Sequence, residues 1–114
     1  MCIRSESSEW QYLDMPLEGF KKILPYLKDV ETVVLEGWGE SLLHKDLTEC
    51  VRLVKKEGSQ VGFVTSAMGL TKERVSELVE AGVDFVGFSI AGTTPETHDA
   101  IRVNSHLPEV LEAI

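Results

Sequence analysis

Cysteine is scarce in this chain, and so are long apolar runs and clusters of basic residues. The two cysteines, Cys2 and Cys50, are too few for a disulfide framework, which points to a reducing cytoplasm as the working compartment. No apolar run exceeds a few residues, so neither a membrane span nor the hydrophobic core of a signal peptide is expected. Lysine and arginine number 11 against 19 aspartates and glutamates, a net charge of −8. With no basic run to meet phosphates, nucleic acid is not an expected partner. What remains is ordinary for a globular domain: 114 residues, 43% hydrophobic and 26% charged, enough to bury one core. Both ends read as cut. Cys2 follows the first Met directly, and Val110 to Ile114 stop in mid-amphipathic pattern with no Gly or Asn to close a helix. The chain is therefore expected to be a piece of a longer protein.

The stretch from Val33 to Leu43 organises the rest. Thr32 to Leu35 lack polar alternation, as a strand covered on both faces would. Gly37 and Gly39 follow at its C-terminal end, bracketing Trp38 and preceding Glu40. α/β folds bind ligands at that end, and glycine there permits positive φ or lets a ligand approach bare backbone. A βα loop that simply needed two flexible residues is the competing explanation.

Around this stretch the periodicity alternates between strand and helix. Residues 3–14 are polar and aperiodic, a loop. Asp14 and Pro16 mark a helix start, and Leu17, Phe20, Ile23, Leu24 and Leu27 give it one apolar face over about 16–29, with Pro25 expected to kink it or confine its last turn. After strand Thr32–Glu36 and the glycine loop, a helix over His44–Glu57 buries Leu47, Cys50, Val51 and Val54. Cys50 then reads as a small core residue rather than a reactive one. Val61–Thr65 is a second strand. Thr71 caps a helix with Val75, Leu78 and Val79 inside and Gly82 at its end. Phe85–Ile90 is a third strand, Thr94–Pro95 start a short helix to about Arg102, and a last helix after Ser105 turns Leu107, Val110, Leu111 and Ile114 inward. Strands at this spacing, each followed by a helix, predict an α/β fold with three adjacent parallel strands whose C-terminal loops gather at one edge.

Four of these segments together resemble the radical S-adenosylmethionine (radical SAM) superfamily, and the resemblance runs nearly end to end. Gly37-Trp38-Gly39-Glu40 resembles the family's Gly-Gly-Glu motif in a Gly-Trp-Gly-Glu variant, continued by Leu42-Leu43-His44-Lys45-Asp46-Leu47. Phe63 to Leu70 resembles the Thr-Asn-Gly segment after the next strand. Phe88-Ser89-Ile90-Ala91-Gly92 with Pro95 to Arg102 resembles the Ser-Ile-Asp-Gly strand end and the helix after it. Met1-Cys2 resembles the tail of the cluster-binding Cys-x-x-x-Cys-x-x-Cys. The resemblance implies a partial (βα)6 TIM-like barrel, with residues 1–14 a remnant of the cluster loop and 15–114 its βα units. It implies Cys2 as a ligand of a 4Fe-4S cluster, the other ligands lying upstream. It implies S-adenosylmethionine as cofactor, held by Gly37, Trp38, Gly39, Glu40, Ser66 and Ser89.

In those implied roles, the glycine backbone accepts from the methionyl ammonium and Glu40 adds negative charge beside it, although a helix-start acid would also suit Glu40. Ser66 and Ser89 would reach carboxylate and ribose. Trp38 packs beneath the loop or lines the pocket, with packing favoured. Three departures from the family pattern stand out: Ser66 in place of asparagine, Ala91 in place of aspartate, and Ser41 in place of proline, the last leaving the loop less rigid. The parent would cleave S-adenosylmethionine reductively to a 5′-deoxyadenosyl radical and act on a small-molecule or peptide substrate. The isolated piece, with one cluster cysteine, is expected to be inactive and to hold neither cofactor, and to self-associate through open sheet edges. Two rival readings remain open: a stand-alone βα module binding a phosphate or other small molecule, and a non-radical TIM-barrel enzyme, which would need a catalytic Lys, or His with Glu, at these strand ends. His44, His98 and His106 fit no metal-ligand spacing and are expected at the surface or as caps.

Overall fold

The computed structural model describes residues 13–102 and 105–114. Within them run α1 (Leu17–Lys21), β1 (Thr32–Val34), α2 (Leu47–Lys56), β2 (Gln60–Thr65), α3 (Lys72–Ala81), β3 (Phe85–Phe88), α4 (Pro95–Ile101) and α5 (Leu107–Ala113). Short 3-10 turns lie at Leu24–Leu27 and Ser41–Leu43. The three strands are parallel and stand in chain order, with Val33 opposite Val61 and Phe63 opposite Val86. The result is an open α/β sheet, a segment of a partial (βα)6 barrel.

One face of the sheet is dry. Val61 and Phe63 are fully buried against Leu47, Cys50, Val51 and Val54 of α2 and Leu78 and Ala81 of α3, with Phe20 of α1 and Leu42 completing the cluster. Every apolar position expected inside α2 is there. The other face is open among the described residues. Val34 and Phe85 flank Gly62 in one row, and both stay exposed, as does Val64 in the next. The expectation of a first strand covered on both faces and reaching Glu36 therefore fails. β1 ends at Val34, and among the described residues it pairs with β2 alone.

The expected helix over 16–29 is broken in two. Pro25 offers no N–H and sits at the start of the Leu24–Leu27 turn, so the α-helix stops after one full turn and a 3-10 turn takes over. Pro16 occupies the cap position of α1, and Asp14 lies two residues before it. Later boundaries follow their caps. Thr71 and Thr94 accept from the backbone N–H of Arg74 and Thr97, and Gly82 closes α3 in the left-handed conformation. Val75 and Val79 are exposed, however, because the buried face of α3 runs through Leu78 and Ala81, one position round the helix. In α5, Leu107 and Val110 are buried whereas Leu111 and Ile114 face outward.

Candidate functional site

The loop after β1 is held at its base by its own side chains. Ser41 Oγ donates to the Leu35 carbonyl at 2.9 Å, closing the loop across six residues and supplying a restraint where the family's proline is missing. Glu40 then spans to the next strand. Its Oε1 accepts from Leu42 N–H at 3.1 Å and from Thr65 Oγ1 at 2.7 Å, and its Oε2 accepts from Ser66 N–H at 2.8 Å and Ser66 Oγ at 2.7 Å. Four donors meet one carboxylate, about the full acceptor capacity of the group. Glu40 is thus the cap of the Ser41–Leu43 turn and, at the same time, the tie between the loop after β1 and the end of β2.

Thr65 is the residue that sequence reasoning passed over. It is 2% exposed, donates to Glu40 and accepts from Ala67 N–H at 2.9 Å. A buried threonine at a strand's last position, inside a stretch already singled out, was the available signal. Ala67 in turn has φ +68°, the one non-glycine with positive φ among the described residues. An alanine in the left-handed region is strained, and such strain gathers at ligand-binding loops.

Gly37, Trp38, Gly39 and Glu40 line one cavity of about 460 Å³, walled also by Leu35, Ser41 and His44, within the size range of small-molecule clefts. Gly37 is not among the left-handed glycines, which are Gly58, Gly69 and Gly82, so the positive φ that glycine permits is not used there. A Cβ built there meets nothing within 4 Å. Its backbone simply lies bare beside open space. Trp38 is two-thirds exposed on the rim of this cavity instead of packed beneath the loop. Ser66 and Ser89 follow the paired residues Thr65 and Phe88 on adjacent strands, and Ser89 N–H donates to Thr65 O at 2.8 Å, extending the ladder by one bond. Ser66 lines a second cavity of about 280 Å³ with residues 67–69 and with Ser105, His106, Glu109 and Val110. Ser89 lines neither.

The histidines divide. His44 Nδ1 accepts from Asp46 N–H and its Nε2 lies 3.0 Å from the Met15 carbonyl, a capping role as expected. His106 heads α5, 3.1 Å from Asp99 Oδ2. That hydrogen bond, and then Glu109, hold its imidazole protonated above the usual range. His98 contradicts its expected surface or capping role, being fully buried within α4. No three His, Cys, Asp or Glu side chains converge on a point among the described residues. Cys2 lies outside them. Cys50 is buried, and desolvation, then the charges of Asp46 and Glu49, push its thiol up to about 11, the opposite of what metal ligation requires.

The family model of the radical SAM superfamily matches residues 1–114. This chain belongs to that superfamily. Among curated relatives of this radical SAM chain, a PqqA peptide cyclase of Streptomyces rochei is 31% identical over 105 residues, 89% of this chain and 29% of the relative. A PqqA peptide cyclase of Rhizobium meliloti (strain 1021) is 36% identical over 63 residues, 55% of this chain and 17% of the relative. A tungsten-containing aldehyde ferredoxin oxidoreductase cofactor-modifying protein of Pyrococcus furiosus is 38% identical over 80 residues, 68% of this chain and 22% of the relative. The matched segments thus span only about a fifth to under a third of the length of these relatives. No helix among the described residues is long and apolar enough to cross a membrane.

Proposed function

We propose that these residues form the S-adenosylmethionine-binding part of a radical enzyme whose substrate is a peptide. The observation that carries the reading is the bare Gly37 backbone beside a 460 Å³ cavity, at the end of a strand whose loop is pinned by Glu40. In this reading the carbonyls of the Gly37–Gly39 loop accept from the methionyl ammonium. Glu40 contributes mainly by placement, since its carboxylate is fully engaged by Leu42, Thr65 and Ser66, while its charge still lies beside the loop.

The Ser66 hydroxyl proton is committed to Glu40, so the hydroxyl offers lone pairs to a ligand. A ribose hydroxyl or the ammonium suits it better than the carboxylate suggested by the resemblance. Ser89, beside it, has no such commitment in its backbone bond to Thr65 and is the better candidate to donate. Trp38, exposed on the rim, would cover bound cofactor and exclude water from it.

The cofactor loops fit the group. For the cluster the described residues supply no ligand, and Cys2 is the residue of this chain proposed to bind it. Bound there, a reduced cluster would supply the electron for reductive cleavage of S-adenosylmethionine. The relatives named for a peptide substrate support the peptide class. The isolated 114-residue piece, with a single cluster cysteine, is proposed to be inactive and cofactor-free, and its working compartment to be the cytoplasm.

The test is anaerobic reconstitution of the full-length protein with iron and sulfide, followed by dithionite and S-adenosylmethionine. Cluster absorbance that is lost in Cys2→Ala, together with 5′-deoxyadenosine release, is the expected result. Unchanged absorbance in Cys2→Ala, or a reconstituted cluster that releases no 5′-deoxyadenosine, overturns it. Candidate peptides would raise 5′-deoxyadenosine release where amino acids and small acids do not.

A further inference from the structure

His98 lies in the middle of α4 with its side chain wholly removed from water. A buried imidazole is costly unless both ring nitrogens find partners. Here both do. Nδ1 accepts from the Ala91 backbone N–H at 3.2 Å, and Nε2 lies 3.1 Å from Ser105 Oγ. A nitrogen that accepts carries no proton, so the neutral ring holds its proton on Nε2 and donates it to Ser105.

One ring therefore joins two segments: the loop leaving β3, seven residues before it, and the turn into α5, seven residues after it. There is no slack beneath this bridge. A Cβ on Gly92 would stand 2.7 Å from Thr97 Cβ and 3.0 Å from His98 N, so the loop rests directly on α4. Both joined segments bear on the site. Ser89 lies two residues before Ala91 in the first. Ser105, in the second, lines the same 280 Å³ cavity as Ser66.

We propose that His98 is a positioning residue, whose buried Nε2–H tautomer fixes the loop after β3 against the start of α5 so that Ser89 and Ser66 can serve one molecule of S-adenosylmethionine. This rests on the proposed cofactor roles of those two serines. The imidazole touches neither cofactor nor substrate. Its effect falls on cofactor affinity and leaves the chemistry of bound cofactor nearly unchanged.

The experiment uses the full-length reconstituted enzyme with His98→Asn, His98→Leu and Ser105→Ala. Asparagine sets an amide oxygen near the position of Nδ1 and keeps the Ala91 bond, whereas leucine keeps the bulk and loses both bonds. Expected are a Kd and KM for S-adenosylmethionine raised about tenfold in His98→Leu, the scale of one lost buried hydrogen bond, with kcat nearly constant. His98→Asn should restore affinity to within about threefold, and Ser105→Ala should fall between them. Ala91 amide exchange should accelerate in His98→Leu and stay slow in His98→Asn.

A folded His98→Leu with wild-type Kd overturns the proposal, and so does an Asn variant as weak as Leu. If His98→Leu does not fold, long-range proton–nitrogen spectra of the wild type decide: a proton on Nε2 supports the bridge and one on Nδ1 overturns it. Ser89→Ala separates the His98 bridge from the cofactor role of Ser89. Wild-type affinity in Ser89→Ala, with the exchange pattern at Ala91 as expected, overturns the role of Ser89 and with it the link to affinity, while the bridge itself stands.

Discussion

Two single residues of the site carry opposite expectations for stability and binding. Gly37 has room for a side chain, since nothing of the protein lies within 4 Å of a Cβ built there. Gly37→Ala is therefore expected to change folding stability by no more than about 0.5 kcal/mol, while weakening S-adenosylmethionine binding several-fold by filling the space a ligand would use. Denaturant midpoint and cofactor titration on the same protein check both halves, and an equal loss in both would remove the distinction. Ala67 behaves the other way. Its φ of +68° costs about 1–2 kcal/mol for a residue with a Cβ, whereas glycine restores about 0.5–1 kcal/mol of unfolded-state freedom. Ala67→Gly is expected to stabilise by roughly 0.5–1 kcal/mol, read as a higher denaturant midpoint. The glycine pair stood out in the sequence by its place at a strand end, whereas Glu40, Ser66 and Ser89 came forward only through the family resemblance. That Glu40 would take all four donors, or that Thr65 would relay Ala67 to it, depends on how two loops approach in space, and no spacing rule contains that.

At the scale of elements, α5 is fastened to α4 by charge. Asp99 Oδ1 accepts from Leu107 N–H at 3.0 Å, and its other oxygen meets His106. The Leu107 N–H, then His106, hold the Asp99 carboxyl below its ordinary 3.8, and Asp99 holds His106 above its ordinary 6.5. A lowered acid stabilises above its unfolded pKa and loses that contribution as pH falls through its folded value. A raised base stabilises below its unfolded pKa and loses that contribution as pH rises through its folded value. The two windows overlap from about pH 4 to 6.5, and α5 should be held best there. An NMR titration of His106 with a midpoint above 6.5, returning toward the ordinary value in Asp99→Asn, is the expected outcome. Caps and buried faces of this kind were legible where the signal is local: Thr71, Thr94, Gly82 and the α2 stripe of Leu47, Cys50, Val51 and Val54 all stand as expected. Local periodicity failed at Val75, Val79, Leu111 and Ile114, whose exposure depends on which neighbours pack against a helix face. It failed at β1 for the same reason, because a strand at the border of a sheet reads like a central one.

For the molecule as a whole, β1 and β3 each pair with β2 alone among the described residues, and the sheet face bearing Val34, Val64 and Phe85 is uncovered. Unpaired parallel edges beside apolar surface favour association of these 114 residues, opposed by a net charge of −8. Salt shortens the reach of that repulsion to about 8 Å at physiological strength. Light scattering is therefore expected to show dimers or larger species that grow with concentration and salt, and a monodisperse monomer throughout would refute this. The same chain-ordered sheet bears on how the protein is made. Residue 32 lies opposite 60 and residue 62 opposite 85, so among the described residues no pairing waits for a partner far downstream, and the entropy of closing such short spans is modest. A nascent chain lengthening at about 5–20 residues per second presents β1 before β2 exists, and β2 before β3. Assembly can keep pace with synthesis, each finished strand seeding the one still being translated.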